Sequence, residues 1–193
     1  MELLNGEFGY YDYSFKAVLL GKSSIGKSIF SSRLISINYS EFKKRISSDY
    51  IQTVGFDFVT KDVKINNKII RLQIYDCCGN EIYSDIIKNF YKPAKIFLIF
   101  YDSDDRNSFE KAKFYFDDVK VINKEVDNIY FLIRIKYELK NKENKDFISD
   151  EEALEYANEK GAYFCHIAVF EKYETGIYEL FKLVFEKLIN YFN

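Results

Sequence analysis

A chain of 193 residues is long enough for one sizeable core and short for two. Its 48% hydrophobic content fits a globular domain, and a formal charge of −2 gives no electrostatic case for nucleic acid or an anionic membrane as the main partner. No apolar run approaches a membrane span, and the start of the chain has no basic region followed by an apolar stretch, so no secretory signal is expected.

In chain order, residues 15–20 form an apolar run that reads as a strand, followed by Gly21-Lys22-Ser23-Ser24-Ile25-Gly26-Lys27-Ser28. This is the G-x-x-x-x-G-K-S spacing of a phosphate-binding loop. Small residues let backbone N–H groups turn inward on phosphate oxygens, and Gly26 allows close backbone approach. Lys27 supplies a point charge for the outer phosphates, and the Ser28 hydroxyl is a hard oxygen suited to Mg²⁺. Residues 29–37 read as a helix whose positive N-terminus faces the anion. A Gly/Ser turn is the plain alternative, and the strand–loop–helix context favours the phosphate reading.

Thr53 falls in a loop just before a strand. Residues 56–65 and 68–75 are two strand-like runs joined by Asn66 and Asn67, which tolerate positive φ and predict a tight hairpin. The second run ends in Asp76-Cys77-Cys78-Gly79. An Asp at a buried strand tip beside a phosphate loop can hold Mg²⁺, and Gly79 offers an N–H without a Cβ in the way; a capping Asp and a turn Gly are the alternatives. Residues 96–101 and 129–135 are continuous apolar runs, suited to strands buried on both faces, and 163–169 is a weaker candidate.

Helical spacing marks residues 108–122, 150–160 and 175–192. Ser149 reads as an N-cap with Glu152 three residues on, and Gly161 as the stop. Residues 140–145 are a polar loop. His166 reads as structural, and Cys77 and Cys78 as packing residues. Three cysteines without a signal suggest free thiols in a reducing compartment, while a bond from Cys77 or Cys78 to Cys165 stays open. The pattern is βα repetition with one hairpin: a doubly wound α/β domain.

The phosphate loop, Thr53-Val54-Gly55-Phe56-Asp57-Phe58, Arg71-Leu72-Gln73-Ile74-Tyr75-Asp76, Phe90-Tyr91-Lys92, Phe100-Tyr101-Asp102 and Asn107-Ser108-Phe109 together resemble a small GTPase of the Ras superfamily, nearest the Rab type. The resemblance covers about residues 14–192. It implies the P-loop GTPase fold: a six-stranded, mostly parallel sheet with one antiparallel edge strand and about five helices. Residues 1–13 would be an N-terminal extension and 14–193 the GTPase domain. It also implies a GTP/GDP switch with Mg²⁺ on Ser28, Thr53 and Asp76. Ser23, Ser24, Ile25, Gly26, Lys27, Ser28, Ile29, Tyr50, Thr53 and Gly79 would meet the phosphates. Lys27, Thr53, Gly79 and Asn80 would act in hydrolysis. Effectors, exchange factors and GTPase-activating proteins would bind through two switch segments, in a cytoplasmic protein that reaches intracellular membranes through partners.

Several positions depart from the family pattern. Asn80 stands where a Gln orients the attacking water and is one methylene shorter, so slow hydrolysis is expected. The base-reading Asn-Lys-x-Asp appears as Ile135-Lys136-Tyr137-Glu138, which keeps the Lys136 stem and the Glu138 carboxylate but loses an amide. The usual Ser-Ala-Lys appears as Ala168-Val169-Phe170, where the Val169 N–H would meet guanine and Phe170 would stack on it. The stretch from Ser28 to Thr53 is longer than the family habit. The chain ends without a terminal cysteine, so no lipid anchor is expected there. Two other readings stand beside the switch: a pseudo-GTPase binding module, and a small P-loop kinase, which the scattered arginines disfavour.

Overall fold

The computed structural model describes residues 2–3, 9–36, 39–46, 53–124, 127–136, 146–168 and 176–189, and within them each apolar run named above is a strand. The strands are β1 (Glu2–Leu3), which the sequence did not mark, β2 (Tyr13–Gly21), β3 (Phe56–Ile65), β4 (Lys68–Cys77), β5 (Ile96–Asp102), β6 (Ile129–Lys136) and β7 (Tyr163–Ala168). The sheet order is β1-β3-β4-β2-β5-β6-β7. Strands β4, β2, β5, β6 and β7 run parallel, and β3 returns antiparallel to β4 through Asn66 and Asn67, at φ 50° and 63°. The expected six-stranded frame is therefore present, and the two-residue β1 lies antiparallel on the outer edge of β3.

The helices are α1 (Lys27–Ile35), α2 (Tyr39–Ile46), α3 (Ser84–Lys88), α4 (Arg106–Ile122), α5 (Asp150–Glu159) and α6 (Ile177–Ile189). They cover both faces of the sheet. Because successive strand residues point to opposite faces, Ala17 and Leu19 join one core with Phe30, Leu180 and Phe185, from α1 and α6. Val18 and Leu20 join the other with Phe109, Phe116 and Ala153, from α4 and α5. β2 is buried from both sides and sits where strand order reverses, between β4 and β5. The crevice beyond the C-terminal end of such a strand is the expected ligand position of an open α/β sheet.

Helix ends follow local chemistry. The Ser149 hydroxyl accepts the Glu152 N–H, and Gly161, at φ 63°, follows α5. The Glu152 carboxylate does not complete a capping box, because the Arg106 guanidinium holds it. α4 begins at Arg106, two residues before the apolar pattern, because the Asp105 carboxylate caps it by accepting the Ser108 N–H. All three cysteines are free. Cys77 ends β4 and Cys165 lies on β7, four strand spacings or roughly 19 Å apart across the sheet, beyond disulfide reach.

Candidate functional site

The phosphate loop leaves β2 against the end of β5. A Cβ at Gly21 would stand 2.7 Å from the Phe100 carbonyl oxygen, so glycine is what lets the two backbones meet. The loop turns through Ser24 at φ 63° and Gly26 at φ 100°. Gly26 is the N-cap of α1 and brings no capping side chain, which leaves first-turn N–H groups for an anion. Lys27 is buried, and its ammonium donates to the carbonyls of Gly21 at 2.9 Å and Lys22 at 3.0 Å. Burial lowers its pKa to about 8, while the Asp76 charge pulls the other way.

Ser28 on α1 meets Thr53 ahead of β3, with the two hydroxyl oxygens 2.9 Å apart. Asp76, near the end of β4, is 1% exposed, and neither of its carboxylate oxygens has a well-formed hydrogen bond. Burial raises its pKa, opposed by the nearby Ser28 hydroxyl and Lys27 ammonium. An unsatisfied buried carboxylate is costly unless a cation completes it. Among the described residues no three His, Cys, Asp or Glu side chains converge as a metal cluster. The donor set is thus two hydroxyls and one carboxylate, hard oxygens that leave positions for water and phosphate. It fits Mg²⁺ better than a soft metal.

One cavity brings together residues 23–29, Thr53, Cys77, Cys78 and Gly79. Every expected phosphate-contacting residue among the described ones lines it. Gly79 lies hard against the loop, where a Cβ would overlap the backbone of Lys22 and Ser23. Asn80 departs from expectation. It does not line this cavity, and its Oδ1 accepts the Ile82 N–H at 3.1 Å, capping the short 3₁₀ turn Glu81–Tyr83.

On the base side, Lys136 ends β6 in register with Ala168 at the end of β7, so both expected base-reading segments leave the sheet together. The Lys136 side chain and Tyr50, Glu138, Val169 and Phe170 lie outside the described residues. Ile135 is fully buried in the same apolar cluster as Ile25 of the phosphate loop. Apolar packing thus occupies the place of the missing amide.

The family model described as "Ras family" matches residues 16–190. The chain belongs to the Ras family. It is 43% identical over 103 residues to Ras-related protein Rab-11B of Dictyostelium discoideum, across 53% of this chain and 44% of the relative. It is 36% identical over 109 residues to GTP-binding protein YPTM1 of Zea mays, across 56% and 49%. It is 35% identical over 109 residues to GTP-binding protein YPT1 of Saccharomyces cerevisiae, across 56% and 50%. The chain spans about half the length of these curated relatives.

Sequence reasoning missed three features of this Ras-family chain. The long stretch between Ser28 and Thr53 contains α2, whose Phe42 is fully buried with the Arg33 guanidinium 5.1 Å above its ring. Phe56 and Phe58, both more than two-fifths exposed, gather with Tyr75 and Phe90 into one aromatic surface with ring centroids 4.4–6.2 Å apart. The alternation Phe56-Asp57-Phe58 at a strand start carried that signal, because both rings must share a face. Lys22, inside the phosphate loop, pairs with Asp105 at 2.6 Å, which no spacing rule would reveal. No helix among the described residues is long and apolar enough to cross a membrane.

Proposed function

We propose that this protein is a GTP-binding switch of the Rab-like type that hydrolyses GTP slowly and acts in vesicle trafficking. The observation that carries the reading is the Ser28–Thr53 hydroxyl pair beside the orphaned Asp76 carboxylate. Phosphate-loop and switch residues converge there on a place suited to one hard cation. The Rab and Ypt relatives support the same reading.

In this reading the loop N–H groups and Lys27 hold the phosphates, while Ser28, Thr53 and Asp76 hold Mg²⁺. Bound there, the cation would neutralise phosphate charge. Hydrolysis is in-line attack of water on the γ-phosphate, with the Gly79 N–H and Lys27 stabilising developing charge. Asn80 serves this step poorly while its amide oxygen is committed to Ile82. Loss of the γ-phosphate releases Thr53 and Gly79, and with them the segments that effectors, exchange factors and GTPase-activating proteins contact. The aromatic surface of Phe56, Phe58, Tyr75 and Phe90 adjoins both segments and gives such partners an apolar docking patch.

Titration of the protein with fluorescent GTP and GDP, with and without Mg²⁺, tests the reading. Mg²⁺-dependent binding at or below micromolar nucleotide is expected. Absence of binding favours the alternative of a pseudo-GTPase binding module, for which the Asn80 cap and the buried Ile135 are the specific observations.

A further inference from the structure

Lys22, within the phosphate-loop motif, sends its side chain to the start of α4. Its ammonium does not line the phosphate cavity, and instead stands 2.6 Å from the Asp105 carboxylate. Asp105 is a fixed partner. Its other carboxylate oxygen caps α4 through the Ser108 N–H at 3.2 Å, and its backbone carbonyl accepts the buried Ser108 hydroxyl at 2.7 Å. The backbone of Lys22 is held as well. Its carbonyl receives the Lys27 ammonium at 3.0 Å, and Gly79 presses on it from the switch side. Residue 22 is therefore gripped from three directions, by the phosphate-binding lysine, by the switch glycine and by the start of α4.

The same helix holds the second switch segment further along. Lys111 pairs with Glu81 at 2.5 Å and Asp118 with Lys88 at 3.2 Å. α4 is thus a common mount, with the phosphate loop tied at its N-terminus and the turn after Gly79 tied along its length. A cradle of backbone donors is effective only while its geometry is preset, since any freedom it keeps when empty must be lost when the anion binds.

We propose that Lys22 and Asp105 form a positioning pair that holds the first half of the phosphate loop on α4 and thereby lengthens the residence of bound guanine nucleotide. The inference rests on the nucleotide-binding reading above. The pair is partly exposed, with side-chain exposures of 44% and 33%, so it acts modestly and is screened by salt. It touches no reacting atom.

The test is the release rate of a fluorescent GDP chased with excess unlabelled GDP, for wild type, Lys22→Met, Asp105→Asn and the double variant. Met keeps the length of the Lys stem, and Asn keeps the α4 cap, so each removes charge with little else. Each single variant is expected to release GDP about two- to fivefold faster, the range open to a partly exposed ion pair. The double variant should be no faster than either single, and 1 M NaCl, an order-of-magnitude choice for about 3 Å screening, should bring wild type to the variants' rate. Melting temperatures of the GDP-bound proteins should fall by no more than the weakened GDP binding accounts for, because a merely structural role would lower them further. Wild-type release rates in both single variants, or effects that multiply in the double, would overturn the pair. A wild-type protein that binds no labelled GDP would overturn the switch reading and this inference with it.

Discussion

The hydroxyl oxygens of Ser28 and Thr53 stand 2.9 Å apart although 25 positions separate them in the chain. One lies in the first turn of α1 and the other precedes β3, so only the fold brings them together. Ser28→Asn places a longer amide between Thr53 and Asp76. Mg²⁺-dependent GTP affinity is expected to fall by at least about tenfold, or ~1.4 kcal/mol, in a fluorescent-nucleotide titration. Unaltered affinity would place the metal elsewhere.

Gly79 has no room for a side chain, because its neighbours are loop backbone rather than flexible side-chain ends. Gly79→Ala should cost about 1–3 kcal/mol in urea unfolding, as overpacking does. It should also reduce the preference for GTP over GDP by moving the switch glycine off the loop. Stability within about 0.5 kcal/mol of wild type would show that the contact is not kept in solution.

Asn80→Gln is expected to accelerate single-turnover GTP hydrolysis. A positioning group misplaced by about an ångström costs up to about a hundredfold, and Gln restores the missing methylene. The same change removes the cap on the 3₁₀ turn, so a stability loss of about 1 kcal/mol should accompany it. An unchanged rate would show that Asn80 is not the limit.

Ile135→Asn restores an amide to the base-reading segment, but at a fully buried position in the apolar core. Unfolding stability should fall by about 2–4 kcal/mol. Guanine nucleotide should nevertheless dissociate more slowly. Unchanged dissociation would mean that the packing around Ile25 and Ile135 already fixes the loop.

Arg106 donates to the Glu152 carboxylate at 3.0 Å and holds its pKa below the ordinary 4.5. A depressed carboxyl pKa adds stability above the ordinary value, and that stability is lost as pH falls through the lowered pKa. Glu152→Gln should therefore destabilise the protein at neutral pH by less than about 1 kcal/mol, given its exposure. The difference from wild type should vanish in acid below that window. A difference that persists in strong acid would assign the effect to packing.

Strand runs of apolar residues, the Asn66–Asn67 turn and the Ser149 cap were legible because each is set by neighbours within a few residues. The phosphate loop was legible for the same reason, since its glycines, Lys27 and Ser28 act through local backbone. α2 was less so: the length of the stretch was visible, but its helix depends on burying Phe42 against α1. Asn80 reads as a water-positioning amide by its place in the chain, yet the turn that follows it offers the Ile82 N–H at shorter reach.

By itself the sequence marked six of the strands, the helices near residues 29–37, 108–122, 150–160 and 175–192, and the phosphate-loop spacing, through periodicity and side-chain chemistry. Tertiary structure alone decided that the Ser28 and Thr53 hydroxyls meet at 2.9 Å, that Gly79 rests on the loop, and that Lys22 reaches Asp105. Those relations join residues on different strands and helices, and they exist only once burial of the two cores has fixed where each element ends.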